Sequence, residues 1–440
     1  MPDRAPSPPG DPLLGHLRPF RLDVLGLLQR AARDHGDVVR FRLGPLTVHL
    51  VNHPDHVTRV LQTRAKHYDK ATRSTAAIAS IAGTSLLTAN GQAWEARRRL
   101  MQPVFHRQRV GELADVMTRV TARRLAEWPP GATIDVASEM MRLAFEIAGT
   151  AILGVDVSEV AGALEGDVAF LLRHVYTRWG RPVPVPSWVP TRENRRFDAA
   201  LARVDDVVTG IVQRHRARPD QAPPLLGLLM EADDPDTGAP FTDARLRDEV
   251  ITMLLAGHET TASALAWTLA RLSQHPEVES RVRAEVDETL GQRTPTLADM
   301  PALRYTTQVL QESLRLSPPI WAIERRAIDA DTIAGVAIPA GSSVIVSPYV
   351  LHRHQAFWPD PERFDPDRFS AAGTPDAYLP FGAGPRYCIG AEFAMLEARL
   401  VLAMVLQGWR LDAMPGQTLA PDASLTLRVR GGWRAVVTRR

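Results

Sequence analysis

Apolar residues recur with helical period along most of this chain. The pattern predicts helices at about 21–35, 54–63, 91–107, 112–127, 137–152, 159–179, 195–217, 243–273, 277–290 and 303–316. Alternation at 37–43 (DVVRFRL) and 46–51 (LTVHLV) predicts two short strands around the turn Gly44-Pro45. A second β-rich part is expected at 322–350, and 424–438 reads as a hairpin around Gly431-Gly432. Residues 74–86 are expected as a loop, 178–191 as a Pro-rich break and 218–242 as a polar connector. The lead-in 8–15 (PPGDPLLG) should be extended, because proline fixes φ and removes a donor. Strands stand at both ends of a helical chain, and no long linker divides it. The expected fold is mainly α with small β-sheets (α+β), a single domain over 1–440 with a Pro-rich lead-in at 1–20.

The charge balance is nearly even, 52 basic against 50 acidic residues, which gives no reason to expect nucleic-acid binding. The N-terminus lacks the apolar core of a signal peptide, and no run of 18 apolar residues occurs. The most apolar helical stretch, 248–270, carries His258 and Glu259 at its centre and reads as a core helix. The single cysteine rules out an internal disulfide and suits a reducing compartment. A soluble, cytoplasmic protein without a membrane anchor is expected.

A lone cysteine is ordinarily a small buried hydrophobe. The surroundings of Cys388 argue otherwise. In FGAGPRYCIG (381–390), Gly382, Gly384 and Gly390 surround the cysteine and Arg386, and a helical run follows. Glycine lets a backbone approach a flat ligand closely. The free N–H groups of a helix start favour a thiolate, the metal-binding form of cysteine. Arg386 is placed to pair with a carboxylate. Phe381, the glycines, Arg386 and Cys388 stand at offsets that closely resemble the haem-binding loop of the cytochrome P-450 family.

The resemblance implies haem b, with Cys388 as its iron ligand and Arg386 on a propionate. It extends from about residue 8 to the C-terminal end. In the long helix, AGHETT (256–261) sets an acid beside an alcohol among apolar residues. Here Glu259 and Thr260 would guide protons to iron-bound dioxygen, and Ala256-Gly257 would leave room over the haem. Read alone, Thr260 and Thr261 could simply bond back to the preceding turn. His258 has no second histidine at zinc-site spacing and reads as a helix-face residue. Glu312 and Arg315 share a helical face at i, i+3. With Arg368 in FDPDRF they resemble the family's structural triad. Trp94 and Arg98, at i, i+4, would lie at the propionates. Arg325 would be a further contact, with Arg326 beside it leaving the register open. Lys70 would be either another contact or a solvated charge.

The implied activity is that of a monooxygenase, inserting one oxygen atom of O2 into a small molecule. The fold implied is a triangular helical body, haem held between the distal helix and the cysteine-loop helix. The expected pocket walls are 74–86, 168–190, 252–261 and 318–323. Ala76, Ala77, Ile78, Ile81, Leu255, Ala256, Ile320 and Ile323 there favour a hydrophobic terpenoid, carotenoid or fatty-acyl substrate. No dinucleotide-binding loop is present, so electrons should come from a ferredoxin or flavodoxin with its NAD(P)H reductase. Arg97, Arg98, Arg99, Arg107 and Arg109 could steer an acidic donor. A peroxide-driven hydroxylase and a non-enzymatic haem sensor are the competing readings.

Overall fold

The computed structural model describes residues 4–154, 158–179, 185–218, 223–370 and 373–440. The periodic segment at 21–35 forms two helices, α1 (Leu17–Leu22) and α2 (Val24–His35). Asp23 breaks them apart with φ −155° and caps α2 by accepting from the Gly26 amide at 3.0 Å. Strands β1 (Val38–Leu43) and β2 (Leu46–Val51) form the expected hairpin. Helix α3 (Pro54–Thr58) runs into a π-turn at Arg59–Thr63. After β3 (Tyr68–Asp69) come α4 (Arg73–Ala82), α5 (Gly91–Met101), α6 (Arg107–Gly111) and α7 (Ala114–Ala126).

Strand β4 (Thr133–Asp135) leads into α8 (Val136–Leu153), α9 (Ser158–Trp179), α10 (Arg192–Ala217), α11 (Pro224–Glu231) and α12 (Asp243–Leu272). Helix α12 is buried on nearly all sides, as its lack of a polar face requires, and packs on α8, α10, α14 and α16. Helices α13 (Pro276–Leu290) and α14 (Arg304–Leu316) precede β5 (Ile323–Ala327), β6 (Asp331–Ile333), β7 (Val336–Ile338) and β8 (Ser343–Val346). The chain ends with α15 (Pro348–Leu351), α16 (Ala391–Gly408), β9 (Trp409–Ala413), β10 (Pro421–Ala423), β11 (Leu427–Val429) and β12 (Arg434–Arg439).

One large core lies among the helices, and two smaller ones lie under the five-stranded sheet β1-β2-β8-β5-β3. In that sheet β2 and β8 pair in parallel, which brings the two β-rich parts of the sequence together. Among the described residues no helix is long and apolar enough to cross a membrane.

Three expectations are corrected. The loop expected at 74–86 is largely α4, whose Thr72 hydroxyl accepts from the Thr75 amide at 3.2 Å. Its Ser, Thr and Ala content hid a capped helix behind loop-like composition. The connector 218–242 contains α11, an apolar helix started by prolines. The terminal hairpin does not form. Strand β11 pairs with β10, and β12 lies between β9 and β4. Gly431 and Gly432, both with φ near +77°, turn β12 toward the longer β9, which offers it five residue pairs. The break at 178–191 falls partly outside the described residues.

Candidate active site

The cysteine loop is held by its own backbone. The Cys388 amide donates to Phe381 O at 3.0 Å, and the Tyr387 amide to Gly384 O at 2.9 Å. Gly390 is the N-cap of α16, and its N–H favours the thiolate form of Cys388. Burial pushes the free thiol up from its ordinary value, against the pull of that N–H and of Arg98.

Gly384 shows why glycine is needed in this loop. Its φ is +69°, and a Cβ there would lie 1.9 Å from Leu61 O in the π-turn. Gly384→Ala should cost about 1–3 kcal/mol from backbone conformation alone. The clash adds to that, so a lower melting temperature and reduced haem content are expected from calorimetry and absorbance.

Beside the loop, four cations converge. The Arg386 Nη2 donates to Ala89 O at 2.7 Å, its guanidinium stacks 4.0 Å from the Trp94 ring centre, and its Nη1 is buried without a partner. The Lys70 Nζ donates to Leu87 O at 2.5 Å. Burial, Arg325 and Arg386 hold the Lys70 pKa well below the lysine range. Arg325 is buried, its guanidinium donates to Glu324 O at 2.9 Å with no acid partner among the described residues, and burial pulls its pKa down to about 10. Burial, Arg325 and Arg98 pull Arg386 down to about 9. The nearby acid Asp69 is taken by Arg326 at 2.5 Å. Alternate residues of a strand face opposite ways, so Arg325 turns inward while Arg326 stays outside.

Like charges crowded together at buried and half-buried positions, with the nearby acid already paired, are unfavourable unless an anion joins them. Haem carries two carboxylates, and this cluster fits them. Lys70 belongs to the cluster rather than to the solvated surface. Arg98 donates to Tyr387 O at 2.9 Å and so braces the loop itself.

On α12, Ala256 is exposed and Gly257 and Thr260 are half-exposed, although most of the helix is buried. This is an open window in a core helix. The Thr260 hydroxyl donates to Ala256 O at 2.9 Å. Glu259 is buried and turned away, toward the C-terminal strands. Its Oε1 accepts from the Thr426 hydroxyl at 2.7 Å and from Arg428 at 2.6 and 3.0 Å. Sequence reading missed Thr426 and Arg428, since nothing local marks a partner some 167 residues away. His258 is buried, bonds Leu254 O at 2.7 Å and lies edge-on to Phe145.

Glu312 and Arg315, both fully buried, form a two-point ion pair at 2.7 and 2.8 Å. Arg315 also donates to the carbonyls of His352, Pro361 and Arg363. Arg368 approaches Glu312 at 3.5 Å, and the Asp365 amide donates to it at 2.8 Å. His352, which the sequence did not single out, bonds Arg315 O and accepts from the Leu379 amide. This joins the ion pair to the segment leading into the cysteine loop.

The basic surface needs one correction. Arg97 is 1% exposed and pairs with Asp234, Asp236 and Glu249, so it is no part of a docking face. Arg99, Arg107 and Arg109 remain exposed. Ile81 is likewise core, at 1% exposure, and not pocket lining.

The Cytochrome P450 family profile matches residues 6–429. Cyclooctatin synthase of Streptomyces melanosporofaciens is 37% identical over 96% of this chain and 93% of that protein. Cyclooctat-9-en-7-ol 5-monooxygenase of the same organism is 36% identical over 94% of this chain and 90% of its own length. The crystal structure of the cytochrome P450DA heme domain superposes with a TM-score of 0.89 at 28% identity, covering 100% of this chain and 98% of that one. The chain belongs to the cytochrome P450 family and is a haem b monooxygenase.

Proposed function

We propose that this monooxygenase oxidises a cyclic terpenoid, as a hydrocarbon or a monohydroxylated derivative, with the whole chain acting as one catalytic domain. The observation that carries this reading is the similar Streptomyces enzyme named for 5-oxygenation of the ring alkenol cyclooctat-9-en-7-ol. The apolar character of Ala256, Ile320, Ile323, Ala77 and Ile78 supports it, because such a substrate binds through hydrocarbon contact.

When bound, the haem supplies the oxidising power, using dioxygen, two electrons and two protons to transfer one oxygen atom and release water. Cys388 holds the iron, with Phe381 O anchoring the Cys388 amide. Lys70, Arg98, Arg325 and Arg386 hold the carboxylate edge, with Trp94 stacked behind Arg386. Ala256 and Gly257, the small residues at the open part of α12, would leave room for the group and its substrate. Thr260 is the proton donor at the pocket, free to exchange Ala256 O for an acceptor there. Glu259, on leaving Arg428, takes a proton from solvent and passes it to Thr260. Glu312, Arg315 and Arg368 keep the segment behind the cysteine loop in place. The electron donor is an acidic ferredoxin or flavodoxin, guided by the exposed Arg99 on α5 and Arg107 and Arg109 on α6, which packs on α16.

Thr260→Ala tests the assignment. Product formed per NAD(P)H oxidised should fall about a hundredfold, the lower end for proton-transfer catalysis, while NAD(P)H consumption continues. The assay uses cyclic terpene alkenes and alkenols, a carotenoid and a fatty acid. Turnover of only the last two would refute the terpenoid assignment. Turnover with peroxide but none with electron donors would favour the peroxide-driven reading instead.

A further inference from the structure

The segment between α4 and α5 is stitched to the N-terminal half of α12. The Arg247 Nη1 donates to Ile81 O at 2.7 Å, and Asp248 accepts from the Thr84 amide at 2.9 Å. Both oxygens of Glu249 accept from the Leu86 amide, at 3.0 and 3.2 Å. The Thr252 hydroxyl donates to the Ser85 hydroxyl at 2.7 Å. The fit is close, since a Cβ on Gly83 would stand 2.0 Å from the Asp248 carboxylate. The far end of the segment gives Leu87 O to Lys70 and Ala89 O to Arg386. Residues 81–90 are therefore a strap. It runs from α4 along α12 to the cation cluster.

Glu249 is the hub of this strap. It is 1% exposed and accepts from Arg97 Nε at 3.1 Å. Arg97 also pairs with Asp236 at 2.6 Å and Asp234 at 3.3 Å, and Arg245 reaches both of those acids. Arg97 thus keeps a countercharge when Glu249 loses its own. The strap offers Glu249 only a backbone N–H, and α5 offers only Arg97. Its own helix adds Asp248, a like charge. Ile152 and Leu153 of α8 and Leu225, Leu226 and Leu229 of α11 line the same small space as Glu249 and cannot solvate a charge. Burial accordingly pushes the Glu249 carboxyl up to about 7, despite its donors.

We infer that Glu249 is a positioning residue for substrate binding: its carboxylate holds the strap, and through it α4, closed against the pocket, and protonation slackens the strap. This rests on α4 being a pocket wall. A slack wall lowers the fraction of binding-competent molecules, and apparent affinity falls with that fraction.

The test uses the haem-loaded enzyme and 4-phenylimidazole, an azole that ligates iron while its ring occupies the pocket. Its dissociation constant is read from the Soret band between about pH 5.5 and 8.5, on either side of the Glu249 titration. The ratio of variant to wild type at each pH cancels the titration of the azole. At the alkaline end Glu249→Gln should bind about tenfold more weakly, the loss of hydrogen bonds to a charge. Toward the acid end the ratio should approach one, as wild type loses the same charge. Thr252→Val removes a stitch that does not titrate. It should weaken binding about fivefold at every pH and keep the wild-type pH dependence.

Amide exchange at Leu86, corrected for its intrinsic rate, should rise in wild type as pH falls through 7. It should be high throughout in Glu249→Gln. A ratio independent of pH would make Glu249 merely structural and overturn the inference. So would altered exchange without altered affinity. If the glutamine variant holds no haem, wild-type Leu86 exchange and Thr252→Val still decide the question. The azole makes no demand on terpenoid chemistry, so failure of that substrate assignment leaves this test intact.

Discussion

Cys388→Ala is expected to lose the strongly red-shifted Soret band of the reduced, carbon-monoxide-bound enzyme. Turnover should fall by more than about 10³-fold, the scale of removing a central catalytic group. The thiolate donates electron density to iron and favours O–O cleavage, and no other side chain can replace it. Cys388 is the chain's single cysteine. The protein should nevertheless remain folded, because the loop is held by backbone bonds from Cys388 to Phe381 and from Tyr387 to Gly384. Lys70, Arg325 and Arg386 should still retain some haem through its carboxylates. The expected product is a coloured protein with an altered spectrum. An unchanged red-shifted band would remove Cys388 as the iron ligand.

Glu312→Ala should damage the fold instead. Removing one partner of a buried ion pair typically costs about 3–5 kcal/mol, because the other charge is left without compensation. That is a large share of the 5–15 kcal/mol by which domains of this kind are stable, roughly speaking. Arg315 would keep its three carbonyl acceptors but lose its countercharge, and the Asp365 amide would lose its acceptor. The segment from Asp365 to the cysteine loop would then loosen. A melting temperature lowered by several degrees, with little haem bound, is the expected outcome. Glu312→Gln should fall between the two. Calorimetry and haem content per chain check both variants. Full haem occupancy in Glu312→Ala would show that the ion pair is dispensable to the site.

Much of this was legible because its signals are local. Long amphipathic segments gave helices close to their observed ends, as at 137–152 against Val136–Leu153. The motifs around Cys388, Glu259 and Glu312 depend on fixed short spacings, and these carried the family and its cofactor. The misread segments were those where composition and packing disagree. Helix α4 is rich in Ser, Thr and Ala, and α11 sits in a Pro-rich stretch. The terminal strands found partners by length and geometry, which turn residues alone do not encode.

From its residue order the chain dictated its helical class, its cysteine loop and the chemistry that loop supports, since each depends on neighbours within a turn or two. The direction of its charges was decided only in three dimensions. Adjacent arginines took opposite fates, Arg325 turning inward while Arg326 paired with Asp69 outside. Arg97 entered a buried acid cluster, and Glu259 met Arg428 across the fold. A charge goes where its countercharge and its solvent are, and those come from segments far apart in the chain.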